Sequence, residues 1–513
     1  GKKKTRFWLE YLLAGNGTEQ TVRAAWCGQP RMDAEARRYF RETTRFDFPS
    51  SLLDLFYRAS VFQLQANLSA AGQLDGSIWQ YNREWTRDLS MAAIGLTMSG
   101  QFGLARTILD RLLARFVTPS GETIDSSEVR AAEECELDQN GALLFALETY
   151  MLWTDDRSLL KKHWPKVQAV AAFPLSDAFR HEASGLLHNR REFWERHAAH
   201  GIEDGIELAH QLWVSMGLSA ASRLALLLGK KKEAEEWKQP ARRLKKALLA
   251  DERFSLIRNG AFIKRRKVSG EIQDEIYPRP ASGLPAEVPL FARGRHLLNP
   301  DTSSVLPLAW EFVPSRSSLA RNTLTQVEKL WNQRWKGGGY GRYDVSSEPD
   351  SPGPWPFPSL FVARAYFEAA EDAKVWRALR WLSKAPGAAA GSWFEFYGPR
   401  PVPPYPQIGI VPWTWVELLI LFVHHLAGIR PEWGSLRLRP RLLSGLAWYR
   451  VKFRLRGLRV ALEVRRATRR RLAGFWINGK FRPHKEEGLD IPYEKKKILI
   501  LVRVPDPPGK TRS

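Results

Sequence analysis

The chain of 513 residues contains little of what marks a small disulfide-bonded or membrane-spanning protein. Its two cysteines, Cys27 and Cys135, are too few for a disulfide framework. This favours a cytoplasmic location, with a secreted or periplasmic form as the alternative. The apolar run from Leu418 to Val423 is far shorter than the roughly 20 residues of a membrane span. The apolar fraction of 44% is that of a globular protein, and the length predicts one large domain and a smaller one.

The positive charge is unevenly distributed. A net charge of +23 would by itself suggest a nucleic-acid partner. Residues 430–513 hold 23 Lys and Arg against 7 Asp and Glu, whereas residues 1–429 carry a net charge of only +7. The sequence also lacks Cys/His zinc spacing, a clear helix-turn-helix and a basic heptad segment. We therefore predict no nucleic-acid partner, and a basic C-terminal surface that is solvated or touches anionic glycans or lipid head groups.

Helical periodicity, together with start and stop signals, predicts twelve helices before residue 428. Ser50 and Asp155 stand where N-caps belong, and Gly100, Gly229 and Gly428 stand where glycines end helices. The connections that leave even-numbered helices are short, whereas those that enter them are long. The predicted ranges are 51–71, 86–99, 101–117, 137–153, 156–180, 204–228, 231–250, 302–311, 316–335, 356–370, 372–385 and 410–427.

Helix composition alternates in the same way. The second and twelfth helices are apolar nearly all round, as buried helices are, whereas the third has one apolar stripe and the seventh is strongly charged. Buried even-numbered helices and amphipathic odd-numbered ones predict two concentric rings, an (α/α)6 toroid of six helical hairpins. The long loops would then meet at the N-terminal ends of the inner helices, which present free N–H groups. We expect function on that face.

A period-two hydrophobic pattern replaces the helical one after Gly428. This alternation, with a tight-turn signal at Asn478-Gly479, predicts a small antiparallel β-sandwich with basic outward positions. The sequence therefore predicts an N-terminal strand and linker segment over residues 1–50, the toroid over 51–428 and an accessory β-domain over 429–513.

The long loops are rich in aromatic and charged side chains, and the 21 tryptophans of the chain favour an aromatic-walled cleft. Aromatic faces pack against the C–H faces of sugars, while carboxylates and arginines bind hydroxyl groups. Cleavage of a glycosidic bond needs one carboxyl to protonate the leaving oxygen and a second to activate water or attack the sugar. The loops thus predict a carbohydrate-active enzyme with an oligosaccharide or polysaccharide substrate. Because no His, Asp and Glu set has convincing metal spacing, we predict no metal and no cofactor.

Six loop elements, taken in order, resemble the glucoamylase family of the six-hairpin glycosidases, over roughly two-thirds of the chain from Trp79 to Gly428. They are Trp85-Thr86-Arg87-Asp88, Glu203-Asp204, Gly341-Arg342-Tyr343, Pro354-Trp355, Gly391-Ser392-Trp393-Phe394-Glu395-Phe396-Tyr397 and Trp413-Thr414-Trp415. The resemblance implies that Glu203 is the general acid, with Asp204 as the neighbouring carboxylate and alternative acid. It implies that Glu395 is the catalytic base and that Arg87, Asp88 and Arg342 hold the sugar.

Other loop residues stay open between binding and structural roles. Asp138 stands either in the sugar site or at the N-cap of the fourth helix. Four aromatic residues either contact sugar or belong to the core: Tyr343, Trp355, Trp393 and Trp413. The basic run from Lys264 to Lys267 predicts a solvated segment of the fourth long loop.

The leading interpretation is an inverting hydrolase that acts on an α-linked glucoside or related oligosaccharide from its non-reducing end. The alternatives are a phosphorylase or a polysaccharide lyase on the same toroid, and a glycan-binding protein without turnover. The C-terminal β-domain resembles those of disaccharide phosphorylases and rhamnosidases that share the toroid. The identity of the sugar and the oligomeric state therefore stay open.

Overall fold

The computed structural model of the protein describes residues 8–15, 20–27, 42–78, 83–124, 130–131, 134–277, 295–334, 338–347, 353–398, 409–467, 473–493 and 497–505. The chain forms two compact units, Gly1–Thr43 and Thr44–Ser513. In the first unit, Trp8–Gly15 (β1) and Gln20–Cys27 (β2) pair as an antiparallel hairpin. Among the described helices, none is both long and apolar enough to cross a membrane.

The described residues of the second unit form twelve α-helices, one at each predicted position. They are α1 (Ser51–Ala66), α2 (Thr86–Met98), α3 (Phe102–Arg115), α4 (Leu137–Thr154), α5 (Arg157–Ala172), α6 (Leu208–Leu227), α7 (Lys231–Ala250), α8 (Leu306–Ala309), α9 (Ser318–Val327), α10 (Pro356–Glu368), α11 (Asp372–Leu382) and α12 (Trp413–Ile420). A 3-10 turn, Thr302–Val305, leads into α8, and a π-helical segment, Leu421–Leu426, continues α12.

Burial alternates along the helix order, as the composition predicts. Every residue of α10 and α12 is buried, and α2 is buried except at Asp88. The odd-numbered α7 buries a single stripe, which comprises Ala234, Trp237, Ala241, Leu244 and Leu248. The even-numbered helices therefore form the interior of the helical region, and the odd-numbered ones cover them.

The even-numbered helices contact one another in chain order, and α12 contacts α2. Helices α4 and α6 approach each other closely at two glycines. A Cβ atom on Gly141 would lie 2.1 Å from the carbonyl oxygen of Trp213, and one on Gly217 would lie 2.5 Å from the Cα atom of Gly141. Only residues without a side chain permit this approach.

Several helices are shorter than predicted: α1 ends at Ala66 and not at 71, α5 at Ala172 and not at 180, and α9 at Val327 and not at 335. Two helix starts also differ, each for a local reason. The N-cap of α5 is Asp156, whose carboxylate accepts from the Ser158 N–H at 3.2 Å, while Asp155 has a φ of 56° and closes α4. Two adjacent aspartates made this position ambiguous in the sequence. Before α6, Gly205–Glu207 forms a strand (β4) that pairs with Arg265–Lys267 (β7), so α6 begins directly after β4 at Leu208 and not at residue 204 as predicted.

Short strands fill the long connection between α7 and α8. They are β5 (Ile257–Arg258), β6 (Ala261–Phe262), β7, β8 (Glu275–Ile276) and β9 (His296–Leu297), of which β5 pairs with β6 and β8 with β9. This connection therefore has its own antiparallel structure and is held against the loop that precedes α6.

The C-terminal strands form two sheets, together with Arg45–Asp47 (β3). They are β10 (Ile429–Pro431), β11 (Ser435–Leu438), β12 (Trp448–Leu455), β13 (Leu458–Arg466), β14 (Gly474–Ile477), β15 (Lys480–Pro483), β16 (Leu489–Pro492) and β17 (Lys497–Val504). One sheet has the order β10-β11-β16 and the other the order β15-β14-β17-β13-β12-β3. The predicted turn at Asn478-Gly479 joins β14 to β15, with φ values of 47° and 84°.

The prediction of a wholly antiparallel arrangement was wrong for the larger sheet, because its strands β13 and β17 run parallel. Three strands separate β13 from β17 in the chain, and a connection of that length allows either direction. A period-two pattern reports which side chains are buried but not the direction of the neighbouring strand.

The C-terminal sheets attach to the C-terminal ends of inner helices. Arg456, in the turn between β12 and β13, donates from its backbone N–H to the Trp153 carbonyl at 2.8 Å and from Nε to the Leu152 carbonyl at 2.8 Å. A guanidinium group there meets the negative end of the dipole of α4. Helix α4 has 18 residues, so about 27 Å separates this contact from the N-terminal end of the helix.

Candidate active site

A cavity of about 230 Å³ lies where α2, α10 and α12 begin. These helix starts place first-turn residues around it, and the long loops supply the remaining walls. The described lining residues are Gly76, Trp85, Arg87, Asp88, Trp194, Glu195, Arg342, Trp355, Phe357, Glu395, Val411 and Trp413. Seven residues singled out in the sequence therefore meet in one cavity: Trp85, Arg87, Asp88, Arg342, Trp355, Glu395 and Trp413.

Stacked aromatic pairs form part of the wall. The ring of Trp413 lies 4.8 Å from that of Phe357 at an angle of 12°, and the ring of Trp355 lies 5.0 Å from that of Phe396 at 23°. The indole N–H of Trp413 donates to Glu417 at 3.0 Å. Because these rings are fixed by stacking and hydrogen bonding, they present preorganised apolar surface to a ligand.

Glu395 lies in the loop before α12, and this half-buried residue lines the cavity. Its backbone N–H donates to the Gly409 carbonyl at 2.9 Å, which fixes the chain at this point. Burial raises the pKa of Glu395 to about 7; the charge of Asp88 adds to the rise, and the Arg342 guanidinium opposes it. A carboxylate with this pKa is a stronger base than an ordinary glutamate and is ionised only above about pH 7.

Glu195 shares the cavity with Glu395 and is held by Arg87. Arg87 donates from Nη2 to the Glu195 carboxylate at 2.9 Å, and from Nη1 to Asp138 at 3.2 Å and the Phe193 carbonyl at 3.0 Å. Burial alone would lower the pKa of Arg87, but the carboxylates of Glu136, Asp138 and Glu195 outweigh it and raise that pKa. Arg87 is therefore a permanently charged clamp on Glu195.

A second arginine joins this clamp. Arg191 binds Glu136 at 2.5 Å, so two arginines face Glu136, Asp138 and Glu195. Glu136 and Asp138 are fully buried, whereas the Glu195 side chain is 36% exposed. Of the three carboxylates, Glu195 is therefore the one that reaches the cavity.

The backbone at Glu195 is strained. Its φ of 69° lies in the left-handed region, which is uncommon for residues other than glycine. The Glu195 N–H donates to the Glu192 carbonyl at 2.8 Å, and this turn holds the conformation. Strain of this kind, where surrounding contacts enforce it, is frequent at functional sites.

Buried charges support the neighbouring Trp194. Its indole N–H lies 2.9 Å from both carboxylate oxygens of Asp301. Lys264 binds Asp301 at 2.9 Å, Glu192 at 2.6 Å and Glu207 at 3.4 Å, and all four of these charged side chains are fully buried. The prediction of a solvated basic run was therefore wrong at its start, because three buried carboxylates need a counter-charge.

Arg342 is held between aromatic rings. Its guanidinium carbon lies 4.0 Å from the ring centre of Trp355 and 5.2 Å from that of Trp194. Its Nη2 donates to the Tyr343 hydroxyl at 2.9 Å. Tyr343 is buried and does not line the cavity, so it positions Arg342.

Glu203 and Asp204 lie away from this cavity. The Glu203 side chain is 56% exposed, binds Lys267 at 2.9 Å and lines a different surface depression beside Tyr277. Asp204 bonds to Nδ1 of His188 at 2.8 Å, which outweighs the effect of burial and lowers the pKa of Asp204. Because β4 follows them directly, neither residue stands at the N-terminus of an inner helix.

Two other candidates have structural positions. Trp393 is fully buried, donates to the Leu382 carbonyl at 2.9 Å and meets the ring of Phe56 edge-on at 5.3 Å. Asp138 lies inside the first turn of α4, not at its N-cap, and faces Nε2 of His210 at 3.4 Å. Asp138 therefore supports Arg87 from behind the cavity wall.

Trp194 and Glu195 were missed in the sequence, although both line the cavity. They stand in the same loop as Glu203, in the segment Phe193-Trp194-Glu195.

One described group of residues has the ligand types of a metal site. The ligand atoms of Glu311, His424 and His425 all lie within 4.8 Å of one another. Both Glu311 oxygens are already engaged, by Arg430 at 2.5 Å and Arg439 at 2.8 Å. Burial, with the charge of Arg430, lowers the pKa of His424 to about 3. Because the two guanidinium groups occupy the places that a cation needs, we assign this cluster a structural role.

Comparison with known proteins finds one curated relative and several solved structures of similar fold. The chain is 23% identical over 364 residues to Trehalase 2 of Sulfolobus acidocaldarius, a match that covers 65% of this chain and 54% of the relative. The chain thus spans about half the length of that relative. No protein-family model matches the chain.

Two solved structures illustrate the similarity of fold. A protein described as a wild-type glycosidase has a TM-score of 0.54 at 16% identity, and the match covers 73% of this chain and 98% of that one. A bacterial glucoamylase complexed with acarbose has a TM-score of 0.57 at 17% identity, with 76% of this chain and 58% of that one covered. These comparisons confirm the resemblance drawn from the loop elements, which is to the six-hairpin glycosidase superfamily with similarity to the glucoamylases.

Proposed function

We propose that the protein is an inverting glycoside hydrolase built on an (α/α)6 toroid, with residues 51–428 as its catalytic domain. The observation that carries this proposal is the presence of Glu195 and Glu395 in the walls of one aromatic-lined cavity. Closure of the even-numbered helices from α12 back to α2 supports the toroid. Acid–base cleavage of a glycosidic bond requires two carboxyl groups, one as the acid and one as the base.

We assign Glu395 as the base and Glu195 as the acid. The raised pKa of Glu395 makes its carboxylate a strong acceptor for a proton from water. Glu195 lines the same cavity as Glu395, its side chain is partly exposed there and Arg87 fixes its position, so its carboxyl is placed to meet the leaving oxygen. Glu195 thus replaces Glu203 and Asp204 in the assignment.

The remaining cavity residues hold the sugar. Asp88 and Arg342 offer an acceptor and a fixed donor for hydroxyl groups, and Trp355 and Trp413 offer ring faces. The described cavity of about 230 Å³ is smaller than the roughly 300–1,000 Å³ typical of sites for larger ligands. It suits a single terminal sugar, which agrees with attack at a non-reducing end.

The substrate class proposed is an α-linked glucoside. The similarity to a protein named trehalase makes trehalose the first compound to test, followed by maltose and longer α-glucans. The proton NMR spectrum of an early reaction mixture on trehalose should show β- and α-glucose in equal amounts, because inversion gives the β-anomer from the attacked sugar and the other glucose leaves as the α-anomer. α-Glucose alone at early times would contradict the inverting mechanism.

The same assay separates the alternatives. It should be run with and without inorganic phosphate, and with the absorbance of unsaturated products followed in parallel. A sugar phosphate formed only with phosphate would indicate a phosphorylase, and an unsaturated product from a uronate polymer would indicate a lyase. Saturable binding of an α-glucan without any product would indicate a glycan-binding protein.

The pH profile tests the role of Glu395. A base must be ionised, so kcat/KM should fall as the pH drops below about 7, tenfold per unit. The acidic limb should be absent from the residual activity of Glu395→Gln, because its amide does not titrate. Activity could instead fall as the pH rises through about 7, with this limb absent in Glu395→Gln. Glu395 would then be the acid and Glu195 the base.

A further inference from the structure

The outer face of the six-stranded sheet is strongly basic and is not part of the cavity. In β12 the side chains alternate, so that Val451 and Phe453 are buried while Arg450 and Lys452 are exposed. Its basic residues are Arg45, Arg450, Lys452, Arg454, Arg459, Arg465, Lys497 and Arg503, and its acidic residues are Asp47 and Glu463. We call this surface the basic face.

Cations stand side by side across three neighbouring strands of the basic face. Arg454 of β12 pairs with Arg459 of β13, and Arg459 pairs with Lys497 of β17. Lys452 lies two residues from Arg454 and points to the same side. These four residues are called the cationic row below. Cβ atoms of directly opposed residues are about 4.5–5.5 Å apart, and like charges at that spacing destabilise a sheet.

The described carboxylates of the basic face bind arginines outside this row. Glu463 binds Arg450 at 2.9 Å and also pairs with Arg465, and Asp47 lies 3.8 Å from Arg450. Within the part of the chain that the structure describes, the four members of the cationic row form no ion pair. A row of unpaired cations in register is costly to the free protein and is relieved when an anionic ligand binds.

Aromatic rings adjoin the cations on the same face. Trp476 of β14 lies opposite Phe481 of β15 with 4.9 Å between ring centres, and the Arg503 guanidinium lies 5.0 Å from the Trp476 ring. The Phe481 side chain is exposed. Exposed rings beside cations suit a ligand that offers both negative charge and apolar C–H faces.

We propose that the basic face binds an acidic polysaccharide. Its carboxylate or sulfate groups would lie along the cationic row, and its sugar rings would pack on Trp476 and Phe481. The choice of a polysaccharide over other polyanions rests on the proposed function, because the same chain is assigned a sugar-binding cavity. The sheet attaches where α4 ends, about 27 Å from its N-terminal end, so this ligand binds without blocking the cavity.

The test uses the full chain with polygalacturonate and chondroitin sulfate as probes, over a range of salt concentrations. A variant that carries Arg454→Gln, Arg459→Gln and Lys497→Gln should bind both polymers about tenfold more weakly or worse. Its log affinity should also depend less steeply on log salt, since fewer counterions are displaced. The matched control carries Lys232→Gln, Arg243→Gln and Lys246→Gln on the exposed side of α7, which removes the same charge elsewhere.

Further arms identify the partner. Phe481→Ala should lower the affinity for polygalacturonate but leave the affinity for inorganic polyphosphate unchanged, because only the sugar polymer has ring faces that can stack on Phe481. An equal loss of affinity in the α7 control, or tighter binding of single-stranded DNA or phosphatidylglycerol vesicles than of either polysaccharide, would overturn the proposal. Turnover of small glucosides should be unchanged in all these variants. Polysaccharide binding without any turnover would refute only the proposed function, and turnover without binding would refute only this inference.

Discussion

Replacement of Glu395 by glutamine should lower kcat by about 100-fold to 10,000-fold, the range that general base catalysis contributes. The amide keeps the size and much of the hydrogen bonding of the carboxylate, so the affinity for substrate should change little. Steady-state rates on the best α-glucoside, with the substrate dissociation constant measured by calorimetry, separate the two effects. A loss of less than about tenfold, roughly 1.4 kcal/mol of barrier, would show that Glu395 is not the base.

The matched control is Glu203→Gln, which makes the same chemical change on the exposed side chain that binds Lys267. This variant should keep nearly full turnover. A loss as large as that of Glu395→Gln would return Glu203 to the catalytic role that the resemblance implies.

Protein stability provides a readout of Glu395 that needs no substrate. Its pKa rises from 4.5 to about 7 on folding, so the folded state binds more protons than the unfolded state between these values. The free energy of unfolding therefore falls as the pH rises through that window. Above pH 7 the buried carboxylate of Glu395 is ionised and destabilises the folded state. Glu395→Gln should therefore raise the free energy of unfolding there by up to about 3 kcal/mol. The same variant should have little effect at pH 4.

The helical part of the fold could be predicted because two independent signals agreed. Buried helices such as α10 and α12 are apolar all round, and α7 shows one stripe, so composition alone distinguishes inner from outer helices. The lengths of the connections separate the helices in the same way, because long connections precede the inner helices and short ones follow them. The parallel pairing of β13 with β17 could not be predicted, since a strand's pattern carries no information about the direction of its partner.

The candidate site was predictable where its residues stand next to an inner helix. Arg87, Asp88 and Trp413 belong to first turns, whose direction follows from the helix itself. Glu195 stands in the middle of the long loop between α5 and β4, and its place depends on Arg87 and on a left-handed turn. Neither the clamp nor the turn leaves a periodic signal in the sequence.

The buried charges at Lys264 show a related limit. A run of four basic residues is usually solvated, and the sequence neighbours give no reason to expect otherwise. Its counter-charges, Glu192, Glu207 and Asp301, come from three distant segments that the fold brings together. Such a cluster is stable only when every member is paired, so it can be recognised only after the tertiary structure is known.

Replacement of Glu195 by glutamine should produce a loss of activity that depends on the leaving group. An alcohol leaving group must be protonated as the glycosidic bond breaks, and the amide cannot supply that proton. Turnover of the best disaccharide should therefore fall by about 100-fold to 10,000-fold, the contribution of general acid catalysis. Turnover of α-glucosyl fluoride should be largely retained, because fluoride leaves with little protonation.

The ratio of these two rates is the decisive quantity, because a misfolded or misaligned site would depress both. Glu395→Gln should lower the rate on the fluoride as well, since water must still be activated, and this opposite pattern distinguishes base from acid. Glu203→Gln and Asp204→Asn should leave the ratio unchanged, as both side chains lie away from the cavity. One of these two variants, and not Glu195→Gln, could instead lose turnover of the disaccharide while it keeps turnover of the fluoride. The carboxylate replaced in that variant, Glu203 or Asp204, would then be the proton donor, and the loop between α5 and β4 would have to rearrange on substrate binding.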